Sequence, residues 1–138
     1  MTPKLRKAMR FARVRTLQHN IAAAATHKAN AQVQSLEATI DKLASLRDGM
    51  RPPEGPTTGA FLASSGEIAL RLDDARAKVA TNVAYARQRA AALQAAQLAA
   101  RMKQECADRL TEKAAKAAEH DAERKQRRTA APRKRSQE

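Results

Sequence analysis

Apolar residues recur at intervals of three and four along two long stretches of this chain, and the recurrence breaks once between them. In the first stretch Val14, Leu17, Ile21, Ala25, Ala29, Val33, Leu36, Ile40 and Leu43 keep that spacing. It places one apolar stripe along one helix face, and the stripe is heptad-like from Val33 to Leu43. Pro3 suits a first helical turn, with Thr2 as its N-cap. Gly49, followed by Pro52 and Pro53, offers a stop. The spacing predicts a first helix over about residues 3–48.

The break follows: residues 49–66 hold all four Gly and three of the five Pro. Ser64 or Ser65 then caps a second helix ahead of Glu67. Ile68, Leu72, Ala75, Val79, Val83, Ala86, Ala90 and Leu93 continue the spacing. A phase slip is expected near Gln97, after which Leu98, Met102, Cys106 and Leu110 resume the stripe before it fades at Ala114 and Ala117. The second helix is expected over about 65–128, with 49–64 as the tip and 129–138 as a disordered basic tail broken by Pro132.

Two striped helices around one short break predict an all-α fold: a long two-helix antiparallel coiled-coil hairpin. With the reversal centred in the break, Leu36 should lie opposite Ala77, Leu17 opposite Ala96, and Met9 near Gln104. Composition agrees. Ala, the best helix former, is abundant, whereas Phe11, Phe61 and Tyr85 are the only aromatic residues. Such a chain can build paired helices but no thick core. No apolar run approaches the ~20 residues needed to span a bilayer. The single Cys106 fits a reducing compartment and forms no intramolecular disulfide framework.

Charge adds polarity. Lys4, Arg6, Lys7, Arg10, Arg13 and Arg15 crowd the first fifteen residues, and seven more basic side chains crowd 124–135, with no acid in either stretch. The remainder is neutral, so the net charge of +13 belongs to the two ends. A hairpin brings these ends together. Weak, salt-dependent binding of polyanions is expected there, and a basic helical nucleic-acid-binding protein is the alternative reading of the chain. Against it, the helical body is neutral and carries no aromatic stacking set.

Motifs for catalysis and metal binding are not found. His19, His27 and His120 are dispersed, with no HExxH or CxxC. Cys106 and His120 are fourteen residues apart, about 21 Å along one helix, too far for a nucleophile and its base. GPTTGAF lacks the spacing and the Lys of a phosphate loop. The expectation is a non-enzyme with no catalytic, cofactor or metal site and no small-molecule substrate.

Four segments, in order, resemble the flagellar FliJ family. FARVRTL (11–17) is similar to its opening, AQVQSLEATIDKLASLRDGM (31–50) to the end of its first helix, TTGAFLASSGEIALRLDDARAKV (57–79) to its loop and entry to helix two, and AAEHDAERKQRR (117–128) to its polar closing segment. The resemblance implies a cytoplasmic stalk or adaptor, peripheral to the inner-membrane type III export apparatus. It would couple the export ATPase ring to the membrane export gate and assist export chaperones. It also implies a gate-facing set of Leu46, Ile68, Leu72, Ala75 and Val79, and an ATPase-facing set of Phe11, Val14, Leu17, Arg109 and Leu110. This chain departs from the family pattern in having only Phe61 as an aromatic near the tip and in a longer basic tail.

Overall fold

The computed structural model describes residues 1–51 and 54–131, in which two helices, α1 (Pro3–Asp48) and α2 (Gly59–Ala130), pack against each other as an all-α hairpin. Pro52, Pro53 and the tail from Pro132 onward lie outside the described residues, and with them most of the expected disordered segment.

Each helix end has a local cause. The Thr2 hydroxyl accepts from the Leu5 amide at 3.2 Å, capping α1 as its sequence predicts. At the other end Met50 N donates to Arg47 O and Arg51 N to Asp48 O, so the last turn tightens into i→i+3 bonds. Gly49 therefore does not supply the left-handed cap its position suggests. The positive φ, 133°, belongs to Gly55, in the turn itself.

The second helix starts earlier than Ser64 or Ser65. Thr58 is its cap: its hydroxyl accepts from Phe61 N at 3.2 Å, and its carbonyl accepts from Leu62 N. Good helix formers from Ala60 to Ala63 carry the helix to Gly66, whose cost of about 1 kcal/mol is too small to stop it. The helix also ends later than Arg128, at Ala130. Arg127 and Arg128 in its last turn oppose the negative end of the helix dipole.

The chain divides into two compact units. In the unit Ala22–Ala96, most of the half-buried and buried residues follow a heptad, which the exposed Arg76 interrupts once. Thr26, Ala29, Val33, Leu36, Ile40 and Leu43 from α1 meet Leu72, Val79, Val83, Ala86, Ala90 and Leu93 from α2. The Thr26 hydroxyl is shared between its own Ala22 carbonyl at 3.0 Å and the Leu93 carbonyl of the other helix at 3.1 Å. Arg87 pairs with Glu37 at 2.6 Å and Arg47 with Asp73 at 3.3 Å. Partner numbers fall as α1 numbers rise, so the pairing is antiparallel. The register differs from the expected one: Leu36 lies next to the residue that meets Arg87, well past Ala77. Phe61 and Leu62, in the first turn of α2, are exposed, and the pairs lie further along α2 than expected.

The other unit joins Met1–Ile21 to the segment from Gln97 onward. Here Ala8 receives a bond from the Thr111 hydroxyl at 3.3 Å, and Gln104 Nε2 donates to the Thr16 hydroxyl at 3.2 Å. These pairs replace the expected one of Met9 with Gln104. The seam is built of small and polar residues: Ala8, Ala12, His19, Ala100, Ala107 and Ala114. Ala107 is wholly inaccessible.

Candidate interaction surfaces

The heptad decides which apolar residues are left outside. Counting from the firm section, with Val33 and Ile40 at a and Leu36 and Leu43 at d, α1 places Leu5, Ala12, His19 and Thr26 at a and Ala8, Arg15, Ala22 and Ala29 at d. All eight are half-buried or buried. Val14, Leu17 and Ile21 fall at c and f, away from the seam, and Leu17 is 60% exposed. The same holds on α2. Val83, Ala90, Gln97, Gln104 and Thr111 occupy a without interruption, so no phase slip occurs at Gln97. Leu98, Met102, Cys106 and Leu110 are exposed. A stripe spaced only by fours turns about 40° per step around a helix and cannot stay on a seam.

Each sequence-selected residue can now be placed. In the unit Ala22–Ala96, Leu72 and Val79 sit in the seam, Ala75 is half-buried beside it, and Leu46 and Ile68 are exposed. Leu46, Ile68 and Ala75 all occupy g positions, which share one flank in an antiparallel pair. The set is therefore partly structural (Leu72, Val79) and partly available surface (Leu46, Ile68).

In the terminal unit, Phe11, Val14 and Leu110 come together. They line an open groove of about 560 Å³ with Ala8, Lys4, Lys7 and Arg10. Leu17 lies outside its lining, and Arg109, the residue before Leu110 on α2, is exposed. Phe11 and Leu110 form its two walls from g positions of the two helices. The Arg15 guanidinium stands 4.8 Å from the centre of the Phe11 ring and covers one of its faces. The rim cations Lys4, Lys7 and Arg10 belong to the basic end expected to bind polyanions, with no link there to Phe11 and Leu110. Extending the Val33–Leu43 heptad toward the N-terminus would have found them, since it puts Lys4, Lys7 and Arg10 at g, c and f.

Charge is uneven between the units. Residues 1–21 with 97–131 carry fifteen basic and six acidic side chains, whereas residues 22–96 carry nine and seven. Among the described residues no group of three His, Cys, Asp or Glu side chains is placed to hold a metal ion. His19 is half-buried in the seam, and His27, His120 and Cys106 are exposed. No helix of the described residues is long and apolar enough to cross a membrane. Comparison with protein-family models, curated proteins and solved structures finds no match to this chain.

Proposed function

We propose that this chain is a non-catalytic helical adaptor for other proteins, of the kind that FliJ-like proteins provide in the flagellar type III export apparatus. The observation that carries the reading is the inversion in the terminal unit. Its seam is mostly Ala, Gln and Thr, with Leu5, Arg15 and His19, while Phe11, Val14, Leu17 and Leu110 are turned out. Burying those four side chains would give roughly 1.5–3 kcal/mol each if fully covered, and the fold leaves much of that gain unused. A binding partner can collect it.

On this proposal the surface bearing Phe11, Val14, Leu17, Arg109 and Leu110 engages the export ATPase ring. Leu46 and Ile68, supported by Leu72, Ala75 and Val79, face the export gate. Export chaperones are further partners, and the site of action is the cytoplasmic face of the inner membrane. The test is the turnover of a purified export ATPase of the same system. Addition of this chain should raise turnover or promote ring assembly, and the response should fall with Phe11→Ser or Leu110→Ser. No response to the unaltered chain rejects the flagellar assignment. The nucleic-acid reading predicts instead tight duplex binding with a steep salt slope, lost on deleting residues 124–138.

A further inference from the structure

We propose that the groove between Phe11 and Leu110 seats an amphipathic helix of a partner protein, one whose apolar stripe is flanked by carboxylates. The inference deepens the adaptor reading and rests on it for the partner's being a protein.

Three observations select this occupant. The groove is open and apolar, lined by Ala8, Phe11 and Val14 from α1 and Leu110 from α2. That is the shape into which a third helix lays its apolar face. Its rim is cationic, and among the described residues none of Lys4, Lys7 and Arg10 is in an ion pair. The third observation is a sorting of charge on α2. Between Leu98 and Ala117 the acids Glu105, Asp108 and Glu112 all fall at b and e, on the flank away from the groove, where Glu105 pairs with Arg101. The c, f and g positions of the same stretch carry Lys103, Arg109, Lys113 and Lys116 and no acid. α1 up to Ile21 has no acid at all. Over α1 up to Ile21 and α2 from Leu98 to Ala117, one flank is therefore apolar and carries only cations, which matches an acidic helix and repels a basic one.

A nucleic acid fits less well. It would use the cations but leave the apolar floor unfilled, and the Phe11 face nearest Arg15 is already covered, which removes a base-stacking platform.

The probe is a designed helical peptide of about three heptads, with Leu along its stripe and Glu on both flanks, and a twin carrying Lys in place of Glu. Fluorescence anisotropy with the full chain should show the Glu peptide binding at least about tenfold tighter than the Lys twin. Amide shifts should cluster at Phe11, Val14 and Leu110. The double variant Phe11→Ser/Leu110→Ser should weaken binding by about tenfold or more, at unchanged helicity because both side chains are half exposed. The triple reversal Lys4→Glu/Lys7→Glu/Arg10→Glu changes only exposed side chains and should invert the preference between the two peptides. Equal binding of the two peptides overturns the proposal. So does binding indifferent to the double variant, or shifts on the Glu105–Glu112 flank, or tighter binding to duplex DNA or to phosphatidylglycerol vesicles than to the Glu peptide. An intact peptide response with an unresponsive ATPase rejects only the flagellar assignment. An ATPase response without peptide binding rejects only the groove.

Discussion

Ala107 and Met102 lie five residues apart on α2 and make opposite predictions about which face of the terminal unit is packed. Ala107 is 0% exposed and Met102 is 61% exposed. Near Ala107 the helices are close enough for the Thr111 hydroxyl to reach the Ala8 carbonyl at 3.3 Å while also bonding the Ala107 carbonyl at 3.0 Å. Replacing Ala107 by Leu adds three carbons where no space is open, and overpacking of this kind costs about 1–3 kcal/mol. Met102→Ala removes a side chain already mostly in water. With 61% exposure, about two-fifths of a burial worth roughly 1.5–3 kcal/mol is at stake, or about 0.6–1.2 kcal/mol. The higher helix propensity of Ala returns a few tenths, ~0.2 kcal/mol. Urea unfolding followed by far-ultraviolet circular dichroism measures both. A stripe through Leu98, Met102, Cys106 and Leu110 as the seam would reverse the order: Met102→Ala would then cost about 2–5 kcal/mol, and Ala107→Leu would be near neutral. That outcome would refute the heptad assignment and, with it, the exposed groove.

Three further substitutions probe local features. Thr58→Ala should destabilise by about 0.5–2 kcal/mol through loss of the α2 cap, while Ser64→Ala and Ser65→Ala should not, being inside the helix; the reverse pattern would put the helix start back at Ser64 or Ser65. Gly66→Ala should stabilise by about 0.4–1 kcal/mol, because its Cβ would meet open space in a helical backbone, whereas Gly55→Ala at φ +133° should destabilise; both are read from urea midpoints. A double-mutant cycle on Glu37 and Arg87 should give a coupling of about 0.2–1 kcal/mol that shrinks with added salt, since the two side chains are 42% and 64% exposed. A salt-insensitive coupling would contradict so open a pair.

The fold was legible because its signals are local or repeat many times. Thr2, Pro3 and the spacing from Val33 to Leu43 suffice for α1, and the Gly and Pro cluster suffices for the reversal. The start of α2 is not legible, because two adjacent serines ahead of Glu67 look like a cap, while Thr58, ahead of a glycine, looks like loop. Both are chemically competent, and the choice falls to the segment Ala60–Ala63, which gains helical bonds only if Thr58 caps. The groove was half legible. Phe11, Val14, Leu17 and Leu110 stand out in the sequence as large apolar residues, but the spacing also places Val14, Leu17 and Leu110 in the seam, and their basic rim reads as a general polyanion site.

The sequence by itself determined that the chain is two long helices, where the chain reverses, and that positive charge collects toward its termini. These follow from propensity, capping chemistry and composition, which act within a few residues. Only the tertiary structure decided which face of each helix is buried in the terminal unit. A helix keeps its phase unless a stutter intervenes. The strongly apolar pairing of Val33, Leu36, Ile40 and Leu43 with Leu72 to Leu93 therefore fixes the heptad for the rest of both helices. In the terminal unit that phase falls mostly on Ala, Gln and Thr, with Leu5, Arg15 and His19, and turns Phe11, Val14, Leu17 and Leu110 outward. Hydrophobicity counted residue by residue would have buried them, but packing between two continuous helices leaves them exposed for a partner.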